Sequence, residues 1–469
     1  MKHQSTQKDF THKLLFQIEV ETTIHNLSIS RRQALSYQME AVRLVNNLQN
    51  LQVQGFFSPR TETLTIEKIS QVLEQAAHYL SLDNTGIYDA LACTENAKAL
   101  RSNNWELLKQ VYLQYFEYIW QPVIIAPIPA MHNHSMLWSG FVAVVSEDSM
   151  ESGLKINHPS QLFRLNSILY PKCPVRTVKT RFAGAHVIKA TNIHHSPYFI
   201  PEYFPEQTDV QGLSVGYLLN TYTAQSVSHT LCALEPFWVP DQLDEIRHLF
   251  ESQDANQVQA ALISLHNMTH FLGSQPMTHP NKKNQFFMQG ADEEFRADSG
   301  SNLGLDALGN ELFDRPLIQA VILMDILDRA FKYILAAPRA TWEKLLVSHH
   351  DVTAGQMRLN ALRYHGALKQ EHTKKGRLYY LDYEKCLESD RNIINELEEL
   401  DYLGLTDWAA YQSNRGKILS KYLRTNEEQG WLLDYFYDQV YKANPWLSAQ
   451  LVFDYPVEFQ LLMEPENAA

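Results

Sequence analysis

The chain has 469 residues, of which 45% are hydrophobic and 20% charged, and its formal net charge is −13. This length allows two or three packed units, and the composition is typical of a globular protein. Because nucleic acids and anionic membranes bind mainly Lys and Arg, the acidic balance argues against either as the main partner.

The sequence also argues against export and membrane insertion. Its four cysteines are scattered and form no CxxC pair, which disfavours a disulfide framework or a cysteine-based zinc site. The N-terminal segment MKHQSTQKDFTHKLL lacks the apolar core of a signal peptide. The most apolar run, residues 317–337, includes Asp325, Asp328 and Arg329, and it therefore predicts a buried helix rather than a membrane span. We expect a cytoplasmic protein.

Three regions of different texture follow one another along the chain. Segments such as SRRQALSYQMEAVRLVNNLQ repeat apolar residues at intervals of three and four, which predicts helices up to about residue 120. Short β-rich runs such as PVIIAPIPA and LWSGFVAVVS then predict a mixed α/β region. Helices dominate again afterwards. The predicted fold is mostly α with a smaller α/β portion, divided into residues 1–121 (helical), 122–215 (mixed α/β) and 216–469 (helical metal-binding core).

Two signals place helix ends in the last region. A helix is predicted for residues 351–364 and stops at Gly366, since glycine favours the left-handed conformation that ends many helices. The run RLYYLDYEK predicts a short strand followed by a helix that Asp382 caps.

The segment AALISLHNMTHFL carries the first half of a candidate metal site. His266 and His270 are four residues apart, so on a helix both imidazoles lie on one face and converge on one tetrahedral ion. Leu262 and Ile263, one turn earlier, place the pair at the border of a buried face. A histidine in such a place is often only a packed residue, so this pair is a weak signal alone.

The segment ADEEFRADSGS carries the second half. Glu294 and Asp298 are again four residues apart, so Glu294 is the candidate third ligand and Asp298 the acceptor for the second N–H of a ligand histidine. The alternative is a solvated acidic first turn, because Asp and Glu favour helix N-termini. The two halves together favour a two-histidine, one-glutamate site. His279, between them, is an alternative fourth ligand that would make the site purely structural.

These motifs resemble those of the gluzincin metallopeptidases, in which H-E-x-x-H is followed on a later helix by E-x-x-x-D. EEFRAD is similar to the E-E-x-x-A-D/E motif of the dipeptidyl peptidase III family and of the related domain of plant Nudix-fused proteins. The resemblance extends over roughly residues 262–423, including QMRLNALRYHGALKQ and IINELEELDYLGLTDWAAY. It implies a metallopeptidase-like helical core that holds Zn²⁺ and acts on a peptide or small-molecule substrate.

The chain departs from this pattern at Asn267, where the family has the Glu that serves as general base. Asn cannot accept a proton, and loss of a positioned base costs about 10²–10⁴-fold in rate. Three alternatives follow. Another carboxylate, with Glu293 the candidate, has become the base. The protein is a catalytically silent metal-binding pseudoenzyme. Or the site holds Fe²⁺ as in non-haem iron oxygenases, which also use two histidines and a carboxylate.

Tyr364 and His365 are further candidates for the catalytic site, because such enzymes place a Tyr or His to stabilise the developing oxyanion. Packing or turn residues are the alternative interpretation. The sequence therefore predicts a metal-dependent hydrolase of the zinc metallopeptidase type acting on a peptide or amide bond, with an altered or lost base. It gives no indication of the oligomeric state.

Overall fold

A computed structural model of the chain describes residues 24, 26–129, 136–176, 178–192, 198–199, 213–251, 254–276, 291–336, 350–373 and 376–423. The helices are α1 (Ile29–Val53), α2 (Pro59–Ser81), α3 (Ile87–Ser102), α4 (Glu106–Tyr115), α5 (Glu147–Ile156), α6 (Pro159–Leu169), α7 (Asn220–Leu234), α8 (Pro240–Leu249), α9 (Ala255–His270), α10 (Ala291–Leu308), α11 (Arg315–Ala336), α12 (His350–Tyr364), α13 (Tyr383–Gly404) and α14 (Trp408–Leu423). The strands are β1 (Val123–Pro129), β2 (Met136–Val145), β3 (Lys179–Ala190), β4 (Tyr198–Phe199), β5 (Leu213–Leu219), β6 (Leu368–Thr373) and β7 (Gly376–Leu381).

The first of two compact units comprises Met1–Glu151, Ala183–Thr208 and Val215–Tyr222. Helix α2 packs on both α1 and α3 in this unit, and α1 also packs on β2. Their buried residues recur at helical spacing, so each helix turns one apolar face to the shared core. Two serines fix where α1 and α2 begin, since Ser28 and Ser58 each accept a hydrogen bond from a backbone N–H three residues later.

A five-stranded sheet has the strand order β1-β2-β3-β5-β4. β1 and β2 are antiparallel and pair from Val123 with Val142 to Pro129 with Met136. β2 is also antiparallel to β3, with a shift in register between Val142 and Ala143. This sheet is the smaller β portion that the Val- and Ile-rich runs predict.

The second unit comprises Ser152–Phe182, Asp209–Ser214 and Thr223–Ala469. Its largest hydrophobic core draws buried residues from the helices α5 to α13 and from β7, and a second core joins α10, α12, α13 and α14. Because α10 contributes to both cores, nearly every residue of this helix is buried.

A short antiparallel hairpin, β6–β7, lies between α12 and α13 and pairs from Leu368 with Leu381 to Thr373 with Gly376. The sequence predicts only its second strand. β6 reads LKQEHT and is mostly exposed, so it lacks the apolar alternation by which a half-buried strand is recognised.

The predicted fold class is confirmed, since helices form most of the described structure and the sheet is small. None of the described helices is both long enough and apolar enough to cross a membrane. The division into residues 1–121, 122–215 and 216–469 stays a prediction, as do the cytoplasmic location and the nature of the partners.

Candidate metal centre

Helix α9 positions both histidines of the candidate site. Its apolar residues recur at intervals of three and four and are buried: Val258, Ala261, Leu262, Leu265 and Met268. His266 and His270 are adjacent to this face, so their rings are largely enclosed, with side-chain exposures of 18% and 7%. The helix ends at His270, and the chain turns away at Gly273, whose φ of 85° lies in the region that glycine adopts without strain.

Helix α10 carries the acidic residues and packs directly on α9. The two helices approach closely at Gly300, where a Cβ atom would lie 2.6 Å from Cγ2 of Thr269. The first turn of α10 is not a solvated acidic surface, because Asp292, Glu293 and Glu294 are all buried. Each of the three has a cationic or imidazole partner on another turn or element. The interpretation of this turn as an exposed acidic cluster is therefore wrong.

The structure brings His266, His270 and Glu294 together, with one ligand atom of each within 4.8 Å of the others. The two Nε2 atoms are 3.0 Å apart. Nε2 of His266 lies 3.4 Å from Oε2 of Glu294, and Nε2 of His270 lies 3.8 Å from Oε1. Both imidazoles therefore direct the same ring nitrogen toward one carboxylate.

A second carboxylate contacts the opposite edge of each ring. Nδ1 of His266 lies 3.0 Å from Oδ1 of Asp298, and Nδ1 of His270 lies 3.0 Å from Oε1 of Glu293. A proton on Nδ1 that is shared with a carboxylate leaves the lone pair of Nε2 free to bind an ion, and it also fixes the orientation of the ring. The sequence predicts this arrangement for Asp298 only. The contact of Glu293 with His270 was missed.

Two arginines hold these carboxylates. Arg329 of α11 contacts Asp298 through Nε at 2.7 Å and Nη2 at 2.9 Å, and its Nη2 is also 3.3 Å from Glu294. Arg296 of α10 contacts Glu293 through Nη2 at 2.5 Å and Nε at 3.0 Å. Both cations were missed as site residues. The signal for Arg296 was its spacing of three residues from Glu293. The signal for Arg329 was its position within the apolar run that forms α11, because a charge buried there requires a partner.

The charges around His266 favour a cation between the carboxylates. Burial lowers the pKa of His266, but the carboxylates of Asp298 and Glu294 overcome this effect and raise it to about 10. Burial raises the pKa of Asp298, whereas the charge of Arg329 and the contact with His266 hold it below its usual range. Asp325 lies one turn before Arg329 on α11, and burial together with the charge of Asp298 raises its pKa to about 7.

Asn267 follows the first histidine, and its amide Nδ2 donates a hydrogen bond to the carbonyl of Ile263 on the same helix at 2.9 Å. The side chain is thus folded back along α9. At the position where gluzincins have a carboxylate, this chain has a group with no titratable proton and with one donor used by the backbone.

Other predicted residues lie apart from this cluster. Tyr364 is 66% exposed at the end of α12, and His365 shares a 2.8 Å hydrogen bond with Ser389 through Nδ1. The ring of Tyr364 contacts Lys421 and Tyr422, and that of His365 contacts Tyr422. Within the described residues the structure therefore brings neither of them to the histidine pair. Burial and Lys421 lower the pKa of His365. His279 lies outside the described residues.

The donor set of the cluster suits a divalent metal ion. Two imidazole nitrogens and one carboxylate oxygen are typical ligands of catalytic Zn²⁺ sites and of non-haem Fe²⁺ sites. Ligand atoms about 2 Å from a tetrahedral zinc are about 3.3 Å from one another. The observed separations of 3.0, 3.4 and 3.8 Å bracket this value. The residues present therefore fit such an ion.

No protein-family model and no curated protein sequence matches this chain. Its fold is similar to a structure of dipeptidyl peptidase III from Caldithrix abyssi, with a TM-score of 0.56 and 13% identity, covering 80% of this chain and 68% of the other. It is also similar to dipeptidyl-peptidase III from Corallococcus sp. strain EGB, with a TM-score of 0.51 and 15% identity, covering 92% and 78%. The chain thus shares its fold with dipeptidyl peptidase III structures.

Proposed function

We propose that the protein is a metal-dependent hydrolase of the zinc metallopeptidase type, with His266, His270 and Glu294 as the metal ligands. The observation that supports this most directly is the matched orientation of the two imidazoles, each with Nε2 toward Glu294 and Nδ1 on a carboxylate. The similarity of fold to structures named dipeptidyl peptidase III supports a peptide or amide substrate. Zn²⁺, when bound, would polarise the substrate carbonyl and acidify a water molecule.

The protein side chains have separable roles in this proposal. Asp298 accepts the Nδ1 proton of His266, and Glu293 accepts that of His270. Arg329 neutralises Asp298 and also lies beside Glu294, so it limits the negative charge that surrounds the ion. This assignment changes the role of Glu293. One of its oxygens contacts both His270 and Arg296 and the other contacts Arg296, which favours a positioning role over that of the replacement base.

The proposed site therefore lacks an assigned general base for hydrolysis. Asn267 cannot take a proton, and the contacts of Glu293 direct it to the far edge of His270. This supports the second candidate function, a metal-binding protein that binds a peptide-like ligand without turnover. An Fe²⁺-dependent oxygenase is the third, because its donor set is the same.

Metal content tests the proposal. Purified protein is expected to carry about one zinc ion per chain, and His266→Ala and His270→Ala are each expected to abolish its retention. His248→Ala is the matched control, because this histidine is 83% exposed on α8. Elemental analysis that gives the same content in wild type and in the His266→Ala/His270→Ala double variant would refute the metal site. Protein that contains iron and consumes oxygen would favour the oxygenase over the hydrolase. Protein that contains zinc but cleaves no short peptide would favour the metal-binding protein without turnover.

A further inference from the structure

We infer that Arg296 is a positioning residue for the proposed metal centre. It orients His270 through Glu293, and it joins the end of α9 to α10. The inference rests on the proposed metal site but concerns a residue that is not a ligand. Its basis is the complete set of contacts that this side chain makes while fully buried.

The guanidinium of arginine has five N–H groups in a planar fork, and here five contacts match them. Nε and Nη2 donate to the two carboxylate oxygens of Glu293 at 3.0 and 2.5 Å. Nη2 also donates to the carbonyl of Thr269 at 3.1 Å, and Nη1 donates to that of Leu272 at 3.3 Å. The fifth contact is from Nη1 to the hydroxyl of Tyr170 at 2.6 Å.

The two carbonyls belong to the last turn of α9 and the residues that directly follow it. A helix C-terminus leaves carbonyls without intrahelical partners and carries partial negative charge, so a buried cation there satisfies both needs. His270 is the last residue of α9 and directly follows Thr269. Its backbone is therefore held to α10 by the same guanidinium that holds Glu293, the acceptor of its ring. Arg296 therefore fixes the backbone and the side chain of one ligand together.

The two arginines that hold the carboxylates beside the histidine pair, Arg329 and Arg296, act in different ways. Arg329, which holds Asp298, also lies 3.3 Å from the candidate ligand Glu294, so its charge acts on the site directly. The five N–H groups of Arg296 are all used by Glu293, Tyr170 and the two carbonyls, which leaves none for a ligand. Its hydrogen bonds therefore reach the candidate ligands only through Glu293 and the end of α9, so it acts on ligand geometry through the orientation of His270.

Tyr170 completes the site of Arg296. Its hydroxyl accepts from Nη1, and its ring centroid lies 5.5 Å from the centre of the guanidinium. Burial raises the pKa of Tyr170, so the hydroxyl stays neutral. Space here is restricted, because a Cβ atom on Gly273 would lie 3.2 Å from Nη1 and 3.3 Å from the Tyr170 ring. The guanidinium cannot shift without displacing these neighbours.

The chain offers a matched control in Arg415 of α14, whose partner Asp292 lies on the same helix as Arg296. Arg415 binds Asp292 through Nε at 2.7 Å and Nη2 at 2.6 Å, and both side chains are buried. This pair has the fork geometry of Arg296 with Glu293, but its carboxylate belongs to the residue before Glu293. Lysine retains the charge of arginine but not the planar fork, so Arg296→Lys and Arg415→Lys impose the same chemical change at the two places.

Two measurements test the inference. In metal-free protein at pH 8, imidazole ¹⁵N shifts report which nitrogen of His270 carries the proton. In competition with a chromophoric chelator, the Zn²⁺ affinity reports ligand geometry. Arg296→Lys is expected to change His270 from the Nδ1–H tautomer to a mixture and to weaken Zn²⁺ binding by about 10–100-fold. Arg415→Lys is expected to leave the tautomer unchanged and the affinity within threefold of wild type.

An Arg296→Lys protein with the wild-type tautomer and an affinity no weaker than that of Arg415→Lys would overturn the inference. If Arg296→Lys does not fold, Arg296→Gln replaces it, since glutamine keeps an N–H donor but has neither the charge nor the planar fork that holds both oxygens of Glu293. A mixed tautomer in Arg296→Gln supports the inference, and a fixed one overturns it. If wild-type protein binds no Zn²⁺, the proposed function fails, while the tautomer measurement still decides the role of Arg296.

Discussion

Oδ1 of Asp298 lies 3.0 Å from Nδ1 of His266, although the two residues are on different helices. The contact is to the ring edge opposite Nε2, which faces Glu294. Asp298 can therefore hold the ring and its tautomer without occupying a coordination position. The same relationship between His270 and Glu293 makes this a property of the whole cluster.

From this relationship, Asp298→Ala is expected to weaken Zn²⁺ affinity by about 10–100-fold without abolishing binding, because the ring of His266 loses its acceptor but remains in place. Chelator competition measures the change. Asp306→Ala is the control, since Asp306 lies on the same helix but contacts Arg315 and Tyr383. Equal affinities of Asp298→Ala and wild-type protein would show that the contact does not support the ion.

The close approach of α9 and α10 gives a second prediction. Gly300→Ala would place a Cβ atom 2.6 Å from Cγ2 of Thr269 and 3.1 Å from Cδ1 of Leu169. Such overpacking costs about 1–3 kcal/mol. We expect the free energy of unfolding to fall by this amount and metal affinity to fall with it, because the two ligand-bearing helices are forced apart.

Gly416→Ala is the matched control for that change. Gly416 is on the exposed face of α14, and a Cβ atom there would meet nothing within 4 Å. Alanine is the better helix former, so this variant is expected to gain about 0.5–1 kcal/mol of stability. Denaturant unfolding of both variants decides the matter, and a Gly300→Ala protein as stable as Gly416→Ala would show that the helices have room to adjust.

Local signals in the sequence predicted part of this arrangement. The placement of His266 and His270 on one face follows from helical geometry alone. The end of α12 near Gly366 follows from local chemistry, since Gly366 has a φ of 70°. Asp382 likewise caps α13 by accepting from the N–H of Lys385. Such features depend on neighbours within a few residues, which a sequence displays directly.

The remainder depends on contacts between distant parts of the chain. Arg329 meets Asp298 across 31 positions and Arg415 meets Asp292 across 123, and no local spacing predicts either pair. The sequence did not predict the burial of the first turn of α10 either, because an acidic first turn has the same sequence whether it is solvated or paired with buried cations. Packing of α10 between two cores is what makes these charges functional candidates.

Asp89 gives a prediction on pH and stability that is independent of the metal centre. Burial raises the pKa of this carboxyl to about 6, despite the opposing effects of Arg31 and of the Gln121 N–H. A carboxyl whose pKa is higher in the folded than in the unfolded state binds its proton more tightly when folded. Its contribution to stability is therefore present below about pH 4 and is lost as the pH rises through 6.

Asp89→Asn removes this titration. Relative to the variant, wild-type protein is expected to lose about 1–3 kcal/mol between pH 4 and pH 7, because one pKa unit corresponds to about 1.4 kcal/mol. Other titrating groups are common to both proteins and cancel in the difference. A difference in the free energy of unfolding that is the same at pH 4 and pH 7 would contradict a raised pKa for Asp89.

The last prediction concerns Asn267, whose amide donates to the carbonyl of Ile263. Asn267→Glu introduces a carboxylate one residue after the first candidate ligand, and the negative charge cannot donate to that carbonyl. The side chain must therefore leave the helix backbone, and a turn of about 100° per residue directs it to a different side of α9 from the ring of His266. If the chain is a hydrolase that has lost its base, the variant is expected to gain cleavage of short peptides at unchanged zinc content.

Asn267→Gln is the control for this experiment, because it matches the length of Glu but cannot accept a proton. Peptidase activity in Asn267→Glu that is absent from Asn267→Gln would assign the gain to the carboxylate and not to a change in packing. If the carboxylate acts as the base, the rate of peptide cleavage by Asn267→Glu is expected to be about 10²–10⁴-fold higher than that of wild type. Full zinc occupancy in both variants with no cleavage across a broad peptide library would argue against simple loss of the base and would favour a metal-binding role without turnover.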